Sequence, residues 1–367
     1  MPPLQDAQRI VIKLGTGILT SGIGQLDTER IDEIGRQVAS LKAEGKQVIL
    51  VSSGAVGLGM GRLGLSEKPR RLASLQKCAA IGQSRLTETW QKAFDPHGIV
   101  VAQILLTRDD VQSRKRHLAL RELLDEILSD GIIPIVNEND SVSADEIKFG
   151  DNDVLSSLVA SLAKADMLCI LSTANGLENR SADGSIIPIV DEITDVHMAM
   201  AGGTESATGT GGMTTKLEAA KIATKSGCGV YIGNGNIPNV IQELFSGSAS
   251  GTIFLPKKLP IASRKRWLAF FQNPNGDLVI DDGAVKALCE RGSSLLAKGI
   301  LNLSGTFKAG ETVTISAQSG TKVARGIVTF DADEIEQLRG KRTDEVKQLY
   351  PERKRAEIIH RDALVLL

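Results

Sequence analysis

Arg9-Ile-Val-Ile-Lys-Leu-Gly-Thr-Gly17 joins a β-branched apolar run directly to a pair of glycines. The run predicts a strand over residues 9–14 that is buried on both faces of a sheet. Ser52-Ser-Gly54 ends a second predicted strand in the same way, and Gly209-Thr-Gly-Gly212 precedes a predicted helix. In an open α/β sheet, ligands bind beyond the carboxyl ends of the strands, where backbone N–H groups favour anions. These glycine-rich segments therefore predict a phosphate-binding site.

Outward from this strand, short β-branched runs alternate with longer amphipathic segments as far as residue 254. The predicted strands are 9–14, 47–52, 99–105, 132–137, 167–171 and 230–233. The predicted helices include 27–44, 72–94, 117–129, 153–164 and 212–226. The alternation indicates right-handed βαβ units and an α/β fold with a mainly parallel sheet. Pro134 cannot donate to a ladder, so its strand is expected to start late or to turn that position away from a neighbour.

The chain changes character after residue 260. A basic connector is followed by short strand-like pieces, and the one long helical pattern there covers residues 335–349. This predicts a first domain over 1–260, a linker over 261–274 and a small, mainly β domain over 275–367. Residues 261–367 hold 17 Lys and Arg against 14 Asp and Glu, a small positive excess.

Composition narrows the class of protein. The 367 residues are 42% hydrophobic and 24% charged with a formal net charge of -1, which gives no reason to expect bulk nucleic-acid or membrane binding. Four scattered cysteines without C-x-x-C spacing argue against a disulfide framework or a zinc site. Neither a signal peptide nor a spanning segment is recognisable, so we expect a cytoplasmic protein.

Polar residues cluster where two of the predicted elements meet. Asp151-Asn-Asp153 opens a predicted helix, and Asn137-Glu-Asn-Asp140 ends the strand before it. A helix cap needs only one such residue, and capping is the structural alternative. Clustered carboxylates and amides on loops are typical of a ligand or catalytic site, which we favour.

Two lysines occupy unusual positions. Lys13 ends the first strand among apolar residues and glycine, and Lys216 lies in the first turn of a helix, where the macrodipole disfavours a cation. Either could be an ordinary lysine with a buried stem. Both positions make sense opposite a polyanion, and phosphoryl transfer needs positive charge placed in this way.

The standard nucleotide motifs are missing from usable contexts. Gly59-Met-Gly-Arg-Leu-Gly64 matches G-x-G-x-x-G, but it lies within or after a helix and not at a strand-to-helix turn. The segment before Lys216 lacks the Gly-Lys-Ser/Thr ending of a P-loop. A nucleotide site would have to be of another type.

Taken together, the motifs resemble those of the amino-acid kinase family, and in particular its glutamate-phosphorylating members. The motifs that match, in order, are Ile10-Val-Ile-Lys-Leu-Gly-Thr-Gly17, Val51-Ser-Ser-Gly-Ala-Val56, Ile135-Val-Asn-Glu-Asn-Asp140, Phe149-Gly-Asp-Asn-Asp153 and Gly209-Thr-Gly-Gly-Met-Thr-Thr-Lys216. Residues 276–284 and 292–300 look like part of a PUA domain. The resemblance implies a three-layer αβα kinase domain followed by a small, mainly β, PUA-like domain.

The resemblance also implies an activity and its residues. The reaction would be ATP-dependent phosphorylation of the γ-carboxylate of L-glutamate to L-glutamyl 5-phosphate, the first step of proline biosynthesis, with Mg²⁺ on the phosphates. Lys13 and Lys216 would stabilise the transferring group, held in place by Asp153. Glutamate would be bound by Ser53, Asp140 and Asn152. ATP would be bound by Lys13, Gly15, Ser172, Thr173, Thr210, Gly211, Gly212, Met213, Thr214, Thr215 and Lys216, and Gly54 would add a backbone donor to the phosphates. No residue is assigned as a metal ligand.

This chain departs from the family at two positions beside the expected nucleotide site. Thr173 stands where relatives often have Asp, and Glu178 stands where they often have an aromatic residue. These departures leave the adenine and ribose contacts open. The resemblance further implies a homo-oligomer and feedback inhibition by proline. The alternatives are another amino-acid or carbamate kinase of the same fold, or an RNA-binding protein acting through the PUA-like domain. The aromatic content of 3% is low for a protein that binds RNA by base stacking.

Overall fold

The computed structural model describes residues 4–22, 24–107, 110–111, 113–142, 152–179, 183–202, 212–257, 274–353 and 355–367. The chain divides into two compact units, residues 1–260 and 261–367. Each unit has its own hydrophobic core. The predicted linker over 261–274 lies almost wholly outside the described residues.

A mainly parallel sheet forms the middle of the first unit. Its strands are β1 (Arg9–Leu14), β4 (Gln47–Ser52), β5 (Val101–Leu106), β6 (Ile133–Glu138), β7 (Met167–Ser172), β8 (Ile189–Val190), β9 (Gly229–Asn234) and β10 (Thr252–Phe254). The order across the sheet is β5-β6-β4-β1-β7-β9-β10-β8. Every recorded pairing is parallel except that between β9 and β10. The strands β2 (Thr20–Gly22) and β3 (Gln25–Leu26) form a separate hairpin.

The helices of this unit connect the strands. They are α1 (Thr16–Leu19), α2 (Thr28–Ala43), α3 (Ala55–Arg62), α4 (Leu72–Phe94), α5 (Arg114–Ser129), α6 (Asn152–Ala163), α7 (Asp195–Ala201), α8 (Met213–Lys225) and α9 (Val240–Ser246). The predicted α/β class with a mainly parallel sheet is confirmed. Each predicted strand and helix of this unit is present with its ends shifted by no more than three residues. The short elements α1, α3, α7, α9, β2, β3, β8 and β10 were not predicted.

The strand β1 occupies the centre of the sheet. It pairs with β4 on one side and β7 on the other, and Ile10, Ile12 and Leu14 are fully buried. This explains the unbroken apolar run in the sequence, because a central strand of a parallel sheet has no face in water. Lys13 is therefore carried by a central strand whose last five residues are all buried.

Pro134 is accommodated as the sequence predicts. The strand β6 begins at Ile133, and its pairing with β4 is recorded only from Ile135 onward. On the other side, Pro134 lies opposite Ala102 of β5. The proline thus stands before the segment that bonds to β4, where a missing N–H costs no ladder hydrogen bond to that strand.

The second unit is built on a five-stranded sheet. Its strands are β11 (Gly276–Ile280), β12 (Ile300–Gly305), β13 (Thr312–Ala317), β14 (Lys322–Ile327) and β15 (Leu364–Leu366), in the order β12-β11-β13-β14-β15. Its helices are α10 (Asp282–Arg291), α11 (Ala332–Leu338) and α12 (Thr343–Leu349). The single helical pattern predicted over 335–349 is two helices, separated at Gly340, where φ is +77°. The mainly β character of this unit is confirmed.

Candidate active site

An ion triad lies at the end of β1. The ammonium nitrogen Nζ of Lys13 is 2.6 Å from Oδ1 of Asp153, and Nζ of Lys216 is 3.0 Å from the other oxygen, Oδ2. The hydroxyl of Thr215 also donates to Oδ2 at 3.3 Å. Lys13 and Asp153 are fully buried, and Lys216 is 4% exposed. One carboxylate thus holds two cations that come from elements far apart in the chain.

The fold explains how these three side chains meet. Lys13 lies near the carboxyl end of β1, Asp153 is in the first turn of α6, and Lys216 is in the first turn of α8. The helices α6 and α8 pack against each other. The carboxyl end of a strand and the amino ends of two helices converge here, which is the usual place for a ligand in an open α/β sheet.

The charge state of Asp153 follows from its surroundings. Burial by itself would raise the pKa of this carboxyl, but the ammonium groups of Lys13 and Lys216 outweigh burial and hold the pKa below its ordinary value of 3.8. Asp153 is therefore ionised at neutral pH. The triad carries a net charge of one positive unit, which suits an anionic ligand.

A second network consists of amides and runs away from the triad. The side-chain nitrogen of Asn152 donates to the carbonyl of Ser52 at 3.2 Å, to Oγ of Ser53 at 2.9 Å and to Oδ1 of Asn137 at 2.8 Å. Asn137 in turn donates to Oε1 of Gln83 at 2.8 Å. The network ties the ends of β4 and β6 to the start of α6. Of these residues, the sequence reasoning had singled out Ser53 and Asn152 for the site.

The glycines at the strand ends take up the expected positions. Gly54 precedes α3 with φ of +111°, a left-handed conformation that strains any residue with a Cβ atom. Gly15 follows β1, and its N–H donates to the carbonyl of Leu171 on β7. A Cβ atom at Gly15 would lie 3.7 Å from Nζ of Lys13. Gly15 is therefore next to the triad.

The remaining residues predicted to bind ATP lie at two nearby chain segments. Ser172 ends β7 and is 9% exposed, while Thr173 is exposed after it. A Cβ atom at Gly17 would lie 3.2 Å from the methyl carbon of Thr173, which places that segment beside the end of β1. Gly212 is the residue before α8, whose first turn contains Met213, Thr214, Thr215 and Lys216. Thr210 and Gly211 lie outside the described residues.

Asp140 lines a cavity of about 300 Å³. The residues around it are Ala79, Ala80, Gln83, Ser84, Gln103, Leu105, Glu138, Asn139, Asp140 and Ser141. The wall carries two carboxylates and several amides and hydroxyls, a combination that suits a small zwitterion. Gln83 lines this cavity and accepts a hydrogen bond from Asn137, so the amide network reaches the cavity that Asp140 also lines.

Two residues of this site were not singled out from the sequence. Asn137 belongs to the polar cluster Asn137-Glu-Asn-Asp140, but the sequence predicts no role for it. Gln83 lies inside the long amphipathic helix α4 with no motif around it. The feature that distinguishes Gln83 is its burial on a helix that is otherwise rich in exposed polar residues. Burial cannot be read from a single sequence, so nothing in the sequence identifies Gln83.

Two findings concern metals and membranes. Within the described part of the chain, no three His, Cys, Asp or Glu side chains group together as ligands for a metal ion. None of the described helices combines the length and the apolar character needed to cross a membrane.

Comparison with known proteins identifies the class of protein that this fold and site define. Residues 8–234 match the amino acid kinase family and residues 276–350 match the PUA domain. The chain belongs to the amino acid kinase family and carries a PUA domain after its kinase domain.

Relatives over almost the whole length share a more specific name. The chain is 45% identical over 363 residues to a protein named glutamate 5-kinase from Caldanaerobacter subterraneus subsp. tengcongensis, covering 98% of each chain. It is 46% identical over 368 residues to the glutamate 5-kinase of Geobacter sulfurreducens, covering 99% of each. Its fold is similar to that of carbamate kinase from Giardia lamblia bound to AMP-PNP, with a TM-score of 0.50 and 16% identity over 69% of this chain and 100% of the other.

Proposed function

We propose that this protein is a glutamate 5-kinase, which transfers the γ-phosphoryl group of ATP to the γ-carboxylate of L-glutamate. An oxygen of that carboxylate attacks the γ-phosphorus, and the bond from phosphorus to the β,γ-bridging oxygen breaks. ADP leaves with the electron pair, and L-glutamyl 5-phosphate is the other product. The relatives named glutamate 5-kinase support the choice of substrate.

The observation that carries the proposal is the buried triad of Lys13, Asp153 and Lys216. Two lysines held by one carboxylate have fixed positions before any ligand arrives. In the transition state of the transfer, negative charge spreads over the oxygens of the phosphoryl group. Cations that are already in place stabilise this charge without reorganisation. Asp153 positions these cations and does not transfer a proton in the proposed mechanism.

The proposed reaction needs no general base. A carboxylic acid with an ordinary pKa near 4 is already ionised at neutral pH, so the attacking oxygen of glutamate carries its charge before the reaction begins. Catalysis then consists of alignment and charge stabilisation, which matches a site that holds two lysines and a set of amides.

Three predicted residues would orient glutamate. Asp140 is suited to the ammonium group, because a carboxylate on the cavity wall attracts a cation. Asn152 and Ser53 are hydrogen-bonded to each other beside Asp153, and they would direct the γ-carboxylate towards the triad. Glutamate would thus extend from the cavity to the lysines.

ATP would bind beyond the ends of β1 and β7. Backbone N–H groups at Gly54 and at the start of α8 would contact phosphate oxygens. The N–H of Gly15 already donates to Leu171, so Gly15 would instead let the phosphates approach because it has no side chain. Ser172 and Thr173 would lie near the nucleotide. We propose that Mg²⁺ enters bound to the phosphates, as is usual for this ion, where it neutralises part of their charge.

The direct test is ADP release from Mg-ATP and L-glutamate with hydroxylamine present, which traps the acyl phosphate as a hydroxamate. Hydroxamate from L-glutamate, and none from N-acetylglutamate, aspartate or carbamate, is the expected result. Hydroxamate from a different acid would show that this acid is the substrate, and the proposed mechanism of phosphoryl transfer would still hold. No product from any of them would contradict the proposal and favour the RNA-binding alternative.

Further proposals concern partners and location. We propose that proline inhibits the enzyme, because proline shares the α-amino-acid head group with glutamate, and that the protein is a cytoplasmic homo-oligomer. Adding proline to the hydroxamate assay tests the first proposal. RNA binding by the PUA domain would show a steep loss of affinity with salt, which separates it from the kinase activity.

A further inference from the structure

A buried hydrogen-bond donor lines the cavity beside Asp140. Gln83 is 8% exposed, and its Nε2 has no hydrogen-bond partner among the described residues. A buried donor without an acceptor is energetically costly, so native structures rarely contain one without a reason. A ligand that fills the cavity would supply the missing acceptor.

The hydrogen-bond network determines which end of the Gln83 amide faces the cavity. The carbonyl of Ser52 can only accept, so Asn152 must turn its NH₂ group towards it. The same NH₂ group donates to Oδ1 of Asn137, and the NH₂ group of Asn137 then donates to Oε1 of Gln83. Reversing the Gln83 amide would bring two donors together. Its NH₂ group is therefore left for the ligand.

The cavity also selects the kind of ligand group that this donor meets. Glu138 and Asp140 bring carboxylates to the wall, which suit the ammonium group of an amino acid but repel its α-carboxylate. An anionic group on the same carbon needs a donor nearby, and Gln83 offers one on that wall. Two hydrogen bonds of 2.8 Å link Gln83 through Asn137 to Asn152, which lies beside the triad.

From this geometry we infer that Gln83 donates to the α-carboxylate of the substrate and makes the site selective for an α-amino dicarboxylate. The inference rests on the proposed function and adds a specificity-determining residue to it. Asp140 then binds the ammonium group and Gln83 binds the α-carboxylate of the same head group. The amide network holds that head group in position relative to the reacting carboxylate.

The sharpest variant is Gln83→Glu. A glutamate side chain keeps an oxygen that accepts from Asn137, so the network survives, but it replaces the donor with a second acceptor that carries charge. We expect KM for L-glutamate to rise by about tenfold or more, with kcat and KM for ATP changed less than about twofold. Gln83→Met removes the donor without adding charge and should shift KM in the same direction.

A substrate that lacks the α-carboxylate makes the test specific. 4-Aminobutyrate has the ammonium and the reacting carboxylate of glutamate but not the α-carboxylate. In the wild type, kcat/KM should favour glutamate over 4-aminobutyrate, and both variants should reduce this preference by about tenfold or more because only glutamate loses a contact. Gln103→Glu is the matched control, since it adds the same charge to the same cavity from an exposed side chain, and its effect should be smaller.

Two results would overturn the inference. An unchanged KM for glutamate in Gln83→Glu would show that Gln83 does not contact the α-carboxylate. An equal loss of activity on glutamate and 4-aminobutyrate would show that Gln83 has a structural role only. Circular dichroism and thermal unfolding identify a variant that fails to fold, in which case the other Gln83 variant decides. A wild type that forms no hydroxamate from glutamate would instead contradict the proposed function.

Discussion

At the scale of single residues, Asp153 has an unusual environment. It is fully buried between two ammonium groups, and its neighbour Asn152 is buried among amides and a carbonyl. Consecutive residues at the start of one helix therefore serve two networks, one charged and one neutral. This accounts for a run of polar residues that a helix cap alone would not need.

Replacing Lys216 by alanine should remove half of the positive charge offered to the phosphoryl group. We expect kcat to fall by about 10²-fold or more, as for the loss of other preorganised charge-stabilising groups, while the chain still folds. The measurement is the hydroxamate assay together with thermal unfolding. Lys221→Ala is the matched control, because Lys221 is exposed on the same helix α8. Near-normal turnover of Lys216→Ala would take this lysine out of the mechanism.

Replacing Asp153 by asparagine should leave two buried ammonium groups without their common partner. Breaking a buried pair in this way costs about 3–5 kcal/mol of unfolding free energy. The lowered pKa of Asp153 means that its contribution to stability is complete above the ordinary value of 3.8 and is lost as pH falls through the lowered pKa.

Urea unfolding of wild type and Asp153→Asn at several pH values measures this dependence. The difference between them should be constant between about pH 5 and 8 and shrink only in stronger acid. A difference that already changes near pH 6 would show that the pKa of Asp153 is raised and not lowered.

At the scale of elements, the crossing of α3 and α4 positions the amide network. A Cβ atom at Gly82 of α4 would lie 1.8 Å from the carbonyl oxygen of Ala55, and one at Gly59 of α3 would lie 1.8 Å from that of Cys78. The two helices approach so closely that neither position has room for a side chain. Gly59 belongs to the G-x-G-x-x-G match in the sequence, and its role here is helix packing, since α3 spans that position.

Gly82→Ala should force α3 and α4 apart, because the blocking atoms are backbone and cannot rotate away. We expect a loss of about 1–3 kcal/mol in unfolding free energy, together with a raised KM for glutamate, since the adjacent Gln83 would move. Gly57→Ala on α3 is the control. Nothing lies within 4 Å of its added Cβ atom, so it should be neutral or stabilising by up to about 1 kcal/mol. Equal unfolding curves for the two variants would contradict the packing argument.

At the scale of the whole molecule, the two units have separate cores, and the proposed catalytic residues all belong to the first. The triad, the amide network and the cavity involve only residues before position 217. The PUA domain is therefore not required by the proposed chemistry.

A chain that ends before residue 275 should still form hydroxamate from glutamate and ATP, because it keeps the first core and every proposed site residue. The assay compares this truncation with the full-length protein, and circular dichroism verifies that it folds. A truncation that folds well but makes no product would show that the second unit contributes to the active site.

The sequence by itself determined the architecture of the first unit, and it was enough to propose the main residues of the candidate site. Buried parallel strands have a distinct apolar pattern, and its alternation with amphipathic segments indicated an α/β fold with a mainly parallel sheet. The strand β1, at the centre of that sheet, is an example. Lys13, Lys216 and Asp153 stood out because charged residues at apolar strand ends or at the start of a helix are unusual. Pro134 could be anticipated as well, since a missing N–H has the same effect in every sheet.

Only the tertiary structure decided which of these residues meet and what surrounds them. Lys13 and Lys216 are separated by about two hundred positions in the printed sequence, and nothing local to either predicts that one carboxylate bridges both. Gln83 has an ordinary helical context, and the role we propose for it depends on burial, on the direction of the amide network and on the cavity beside it. Periodicity records whether a residue faces the core, whereas a binding site depends on distances between side chains that are brought together by folding.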